Sequence, residues 1–178
     1  MLYTRKGDDG TSGLLGTKER FPKNSPVYDA LGTLDELNSL LGVCRACSVR
    51  EKGGVDVSDE IQNVQERLFI IQAELAGAPK SILLEHIKEL ESTIEKFEKL
   101  IANPHAFVIS GTTELSAMLD YARAVSRRAE RKVLGAQTTR KVSAPTRTYL
   151  NRLSSLLYAL ARYAASTKGT KESSPSYL

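Results

Sequence analysis

Apolar residues recur every three or four positions along five stretches of this chain, and turn-forming residues separate the stretches. That spacing places them on one face of a helix. Nothing of useful length alternates with the period of two that a half-buried strand needs. The first run is Val27, Ala30, Leu31, Leu34, Leu37, Leu40 and Leu41. Ser25 reads as its N-cap and Pro26 as its first helical residue. This helix is predicted to reach about Arg50 and to stop at the KGG of residues 52–54. Ser58 opens a second helix with Ile61, Val64, Leu68, Ile71 and Leu75 on its apolar face, and the GAP of residues 77–79 ends it. Ser81 is expected to open a third, carrying Leu83, Ile87, Leu90, Ile94, Phe97 and Ile101. Residues 103–113 form a break. A fourth helix runs from about Thr113 to Ala136, and Ser143 with Pro145 opens a fifth that reaches about Thr167.

A chain of 178 residues suits a single domain with a sizeable core. The predicted fold is all-α: a five-helix bundle over residues 25–167, preceded by an ordered loop over residues 1–24 that is extended rather than helical. Residues 168–178 are polar and expected to be a loose tail. No apolar run approaches the length of a membrane span, and the N-terminus lacks the pattern of a signal peptide. Cys44 and Cys47 form a lone CxxC inside the first apolar-periodic helix, far from both histidines. They read as structural thiols in a reducing compartment, and a cytosolic location is expected.

Charge is regional. Lys and Arg outnumber Asp and Glu by 25 to 21, but the excess concentrates in residues 123–162. The stretch RAVSRRAERKV, residues 123–133, sets five cations against one acid, Glu130. At about 100° per residue, Leu115, Met118, Leu119, Ala122, Val125, Ala129 and Val133 share one sector and form a core stripe. Arg123, Arg127, Glu130 and Arg131 fall together beside it, whereas Arg128 and Lys132 point to the far side. Arginines at the margin of a core need partners, either carboxylates from another helix or a bound polyanion.

Two more stretches bear on the choice, the first by its chemistry a phosphate cradle or equally an N-terminal turn, the second a candidate carboxylate partner. TRKGDDGTSG, residues 4–13, has glycines at 7, 10 and 13 for close backbone approach. Its Thr4, Thr11 and Ser12 supply hydroxyls, and Arg5, Lys6 and the nearby Lys23 supply charge. Asp8 and Asp9 are candidate Mg²⁺ partners. The pattern is neither a Walker A loop nor a dinucleotide fingerprint. In GTLDELNSLLG, residues 32–42, Asp35 lies one step from the core residue Leu34, placed to meet an arginine of another helix or subunit. A nucleic-acid-binding helix fits poorly, because the arginines divide between two faces and aromatics are few. A di-iron bundle fails for want of ExxH motifs. A purely structural helical oligomer predicts no nucleotide binding.

These stretches, with FVISG at residues 107–111 and YLNRLSSLLYALARY at residues 149–163, resemble the PduO-type ATP:cob(I)alamin adenosyltransferases in order and spacing. The resemblance spans almost the whole chain. It implies a homotrimer of five-helix bundles with sites at subunit interfaces. It further implies transfer of the 5′-deoxyadenosyl group of ATP to the cobalt of cob(I)alamin, with triphosphate as leaving group. Thr4, Arg5, Lys6, Gly7, Asp8, Gly10, Thr11, Ser12 and Lys23 would then form the ATP loop. Arg127, Arg128, Glu130, Arg131 and Asn151 would complete the ATP and triphosphate site. Mg²⁺ would be held mainly by the phosphates, with Glu130 as a candidate ligand. Arg123 would pair with Asp35 across the interface near the corrin, and Phe107 would sit beneath the corrin and displace its lower axial base. An electron-donating reductase and a cobalamin-dependent mutase or dehydratase are the implied partners. The chain departs from the family pattern at Lys6 and Ser12, where threonine is frequent. It also departs at Thr17, where a second glycine is, and at residues 110–112, where SGT replaces PGG.

Overall fold

The computed structural model describes residues 2–15, 17–50, 56–101, 106–167 and 172–176. Within them lie five helices, α1 (Pro26–Arg50), α2 (Ser58–Ala76), α3 (Leu84–Glu98), α4 (Glu114–Ala136) and α5 (Ala144–Ser166). Two short strands, β1 (Thr11–Gly13) and β2 (Arg20–Pro22), precede them. The main helix contacts pair α1 with α2 and α4, and α5 with α4 and α3. Thus α1, α4 and α5 form the centre of the bundle, with α2 and α3 on its flanks. The expected all-α bundle is present. The N-terminal segment adds an antiparallel hairpin in which Thr11 faces Pro22, Ser12 faces Phe21 and Gly13 faces Arg20. Strands of three residues are too short to show a period, so the sequence marked this segment only as extended.

The apolar stripes meet in one core. Leu34, Leu37 and Leu41 of α1, Leu68 and Ile71 of α2, Leu115 and Leu119 of α4, and Leu150 and Leu153 of α5 are all fully buried. Each such side chain contributes about 1.5–3 kcal/mol by leaving water. The α4 stripe matches the helical geometry of the sequence, with only Met118 part-buried.

Helix ends follow local chemistry. Thr113 Oγ1 accepts from Ser116 N–H at 3.1 Å, and Ser116 Oγ accepts from Thr113 N–H at 2.9 Å, a reciprocal cap on α4. Ser143 Oγ caps Thr146 N–H on α5, and Glu74 of α2 accepts from both Ser143 N–H and Thr146 Oγ1. Gly77 takes a φ of 100°, and Ala78 N–H donates back to Ala73 O at 2.8 Å, which closes α2 in a left-handed cap. At α1 the expected cap position is right but its chemistry differs. The carbonyl of Ser25 accepts from Tyr28 and Asp29, while its buried hydroxyl makes no hydrogen bond among the described residues. The predicted stop at residues 52–54 lies outside the described residues.

Two expectations need correction. Helix α3 begins at Leu84, not at Ser81. His86 Nδ1 accepts from Leu83 N–H at 3.2 Å, which fixes Leu83 as the cap position. Ile82, 1% exposed, enters the core and Leu83, 52% exposed, does not. The tail is also not wholly loose. Its Glu172 Oε1 meets Arg162 Nη1 at 2.7 Å and its Ser173 O accepts from Ile109 N–H at 2.8 Å. Both contacts join residues far apart in sequence, so composition gave no sign of them.

Cys44 and Cys47 are reduced and buried, as structural thiols should be. Burial, then the neighbouring Cys47, pushes the Cys44 thiol up to about 12. At pH 8 a chromogenic disulfide reagent is expected to react far more slowly with the folded protein than with the urea-unfolded chain. Equal rates would contradict the buried placement. Ile82→Ala is expected to cost about 2–5 kcal/mol in urea denaturation. Leu83→Ala should stay within about 0.5 kcal/mol. Equal losses would return the start of α3 to Ser81.

Candidate functional site

Helix α4 offers two flanks on either side of its buried stripe. On the flank toward α1, Arg128 pairs with Glu36 and Lys132 with Asp29 at 2.8 Å. These are the two cations that the helical geometry set apart from the others. They are not merely solvated, because they tie α4 to α1. On the flank toward α5, Arg123 and Arg127 line a cavity of about 450 Å³ with Glu98, Ile101, Ser154, Ser155, Tyr158 and Ala159. No ion pair among the described residues neutralises either arginine. The Nε of Arg123 is buried and makes no hydrogen bond among the described residues. An orphaned buried donor of this kind costs about 1–3 kcal/mol, which a bound anion or an incoming carboxylate would offset.

A second cavity of about 470 Å³ adjoins the first. Its walls are Ala106, Phe107, Val108 and Ser110 of the connection before α4, with Asp120, Arg123, Tyr158 and Arg162 of the helices. Arg123 and Tyr158 therefore belong to both cavities. Phe107 is 79% exposed, so it is not a core residue awaiting the next helix. Gly111, with φ 116°, allows the chain to turn into α4 after it.

Arg162 lies in the wall of this second cavity but is not available as a free cation. It is 3% exposed and is paired with Asp120 and Glu172, and its guanidinium stacks over the Tyr158 ring at 5.1 Å. Burial pushes the Glu172 carboxyl above its ordinary value, against the opposing pull of Arg162. The helix periodicity marked none of Tyr158, Asp120 and Arg162, since a buried charge on an apolar face is legible only through its partner.

Glu130 and Asn151 come together as a pair, with Asn151 Nδ2 donating to Glu130 Oε1 at 3.1 Å. Asn151 Oδ1 accepts from Arg152, which also reaches Glu91 on α3 at 3.2 Å. Arg131 is exposed one step away.

The N-terminal loop is built from turns. Arg5, with φ 61°, and Gly10, with φ 79°, take left-handed backbone. A Cβ at Gly7 would meet Lys23 Nζ at 3.0 Å and Thr11 O at 3.2 Å, so the loop closes tightly there. Lys23 Nζ donates to Gly7 O at 2.7 Å. Thr4 Oγ1 accepts from Lys6 N–H at 3.4 Å, while the side chains of Asp8 and Ser12 make no hydrogen bond among the described residues. Asp9 accepts from the backbone and hydroxyl of Thr11, which holds its carboxyl below the usual range. Arg20, not marked in the sequence, reaches back across the hairpin to this loop.

Some expected neighbours are not joined within one chain. No hydrogen bond or ion pair of the described residues links the loop to the α4 arginines. Asp35 lies exposed on a shallow depression with Tyr28, Leu31, Phe69, Gln72 and Ala76, on another face from Arg123.

A family model described as cobalamin adenosyltransferase matches residues 2–164. The chain is 38% identical over 168 residues to the corrinoid adenosyltransferase PduO of Salmonella typhimurium, covering 90% of itself and 48% of that protein, so it spans about half the length of this relative. It is 36% identical over 181 residues to human corrinoid adenosyltransferase MMAB, covering 96% of itself and 71% of that protein. Among solved structures, a variant PduO-type ATP:corrinoid adenosyltransferase from Lactobacillus reuteri complexed with cobalamin and ATP superposes with a TM-score of 0.89, at 27% identity over 97% of both chains. Another variant of that enzyme, complexed with ATP, gives 0.87 at 27% identity over 96% of this chain and 98% of the other. The paired cavities at the arginine flank of α4 thus lie in a fold shared along nearly the whole chain with the solved Lactobacillus reuteri enzyme, and the chain belongs to the cobalamin adenosyltransferase family.

Proposed function

We propose that this protein transfers the 5′-deoxyadenosyl group of ATP to the cobalt of cob(I)alamin, releasing triphosphate. One observation carries the reading. Two adjoining cavities share Arg123 and Tyr158, and one is walled by unpaired arginines while the other is flanked by an exposed phenylalanine. Such a site suits a polyanion beside a large, largely apolar ring system. The relatives named corrinoid adenosyltransferases support it, as does the solved complex with cobalamin and ATP.

The chemistry asks little of protein acids and bases. Cob(I)alamin as substrate is itself a strong nucleophile and attacks C5′ directly. Negative charge develops on the departing triphosphate oxygen, and preorganised cations stabilise it. Arg127 is the principal such group, and Arg123 holds the boundary between the two substrates. Arg131 and Arg128 add charge on either side. Glu130, oriented by Asn151, and the loop residues Thr4, Arg5, Lys6, Gly7, Asp8, Gly10, Thr11, Ser12 and Lys23 position the nucleotide.

Mg²⁺ fits as a companion of the phosphates. Among the described residues no three His, Cys, Asp or Glu side chains group as a metal cage. A single carboxylate such as Glu130, with phosphate oxygens and water, matches how that ion is usually held. When bound, it would help neutralise the leaving group. Phe107 is proposed to meet the lower face of the corrin and exclude the axial base or water, which favours the four-coordinate cobalt that is easier to reduce.

One chain leaves the site incomplete. Among the described residues no hydrogen bond or ion pair joins the loop to the arginines of α4, and Asp35 lines a different depression, so the reading includes a homotrimer in which a neighbour supplies them. Arg123, with its orphaned Nε, is then the partner of the neighbour's Asp35. A reductase would supply the electron, and a cobalamin-dependent mutase or dehydratase would receive the product. No helix of the described residues is long and apolar enough to cross a membrane. A cytosolic setting remains part of the proposal.

The direct test mixes protein, MgATP and chemically reduced cobalamin without oxygen, and follows conversion of the Co(I) spectrum to that of adenosylcobalamin. No conversion would refute the reading. Arg127→Ala and Glu130→Ala are each expected to slow transfer by about a hundredfold or more, with unchanged circular dichroism. Near-normal turnover in both would remove them from the site. Phe107→Ala should impair conversion from Co(II) more than from pre-reduced Co(I), and equal losses would count against axial displacement.

A further inference from the structure

Arg20 has no place in the site as read from the sequence, yet its guanidinium is bonded to the N-terminal loop at several points. Its Nε donates to Thr11 Oγ1 at 2.7 Å, and one terminal nitrogen donates to Thr11 O at 3.0 Å and to Lys6 O. Its carboxylate neighbour, Asp9, is farther away at 3.8 Å. The contacts that matter are therefore to backbone and hydroxyl, across nine to fourteen positions of sequence.

A loop that meets a polyanion must present N–H groups and turn its carbonyls away. Here the carbonyls are occupied. Arg20 takes those of Lys6 and Thr11, Lys23 Nζ takes that of Gly7 at 2.7 Å, and Lys23 N–H takes that of Gly10 at 2.9 Å. Among the described residues the N–H of Gly7 donates to nothing, and that of Asp9 meets only its own carboxylate. Arg20 also sets the Thr11 hydroxyl, which accepts from it and donates to Asp9 at 2.8 Å.

We infer that Arg20 is a positioning residue for the nucleotide: it draws the loop's carbonyls inward so that the N–H groups on the other side of the loop, that of Gly7 first, face the phosphates of ATP. The inference rests on the proposed adenosyl transfer. Lysine is no substitute, because the geometry uses the planar fork of Nε and a terminal nitrogen.

The test compares wild type, Arg20→Ala and Arg20→Lys. Both variants should raise KM for ATP about tenfold or more, leave KM for cob(I)alamin within about twofold, and change kcat by less than about threefold. Hydrogen–deuterium exchange of the ligand-free protein should show residues 6–11 exchanging faster in both variants, with the five helices unchanged. A lysine variant that behaves as wild type would overturn the inference, as would equal rises in both KM values. A raised KM for ATP with unaltered loop exchange would make Arg20 a direct ligand contact and equally refute positioning. Should wild type show no transfer at all, the functional reading fails. MgATP protection of residues 6–11, lost in the variants, then decides the inference separately.

Discussion

Helix α4 is packed on two sides at once, against α1 and α5, and its single apolar stripe has to serve both contacts. That constraint sorts the charges of the most basic stretch in the chain. Cations on the α1 flank meet acids. Residue numbers rise along α4 from Arg128 to Lys132 as they fall along α1 from Glu36 to Asp29, the order expected of antiparallel neighbours. Cations on the α5 flank face a cavity lined by serines, a tyrosine and Glu98, and no ion pair among the described residues engages them. One helix thus holds structural cations on one side and uncommitted ones on the other. The second kind can serve a ligand without first giving up an ion pair.

The second cavity shows the opposite treatment of a cation. Arg162 is as buried as the core, and a lone charge there would carry a desolvation penalty of several kcal/mol. Asp120 from α4 and Glu172 from the C-terminal segment both neutralise it, and Tyr158 stacks beneath it. In the wall beside Phe107 the cation is therefore paired, whereas the boundary with the first cavity carries the unpaired Arg123. The division of the site into a cationic half and a mainly apolar half follows from which arginine receives a carboxylate.

Much of this was legible in the sequence because it is local. The caps at Thr113 and Ser143, the stop at Gly77 and the α4 stripe all follow from residues within a turn or two of one another. The opposed directions of Arg127 and Arg128 were legible for the same reason. What escaped notice is long-range. Ile82 and Leu83 are both apolar, and only the core decides which is buried. Arg20 acts through a hairpin whose strands are too short for a periodic signal. Glu172 sits in a polar tail whose composition reads as solvent-exposed, and its partner lies on α5. The cap at α1 was placed correctly for a partly mistaken reason, since the carbonyl of Ser25 and not its hydroxyl serves the helix.

The same distinction bears on assembly. An exposed carboxylate, Asp35, lies beside Phe69 and Tyr28 on one face of the bundle, and a buried arginine nitrogen without an acceptor lies on another. Within one chain they cannot meet. Between copies they can, and because the two faces differ the contact is heterologous. A heterologous contact repeated identically either runs on as a filament or closes as a ring. A closed ring of three is the arrangement included in the proposal. It would give every arginine cavity a neighbour's Asp35 and nucleotide loop, leaving none of the three sites at an open end.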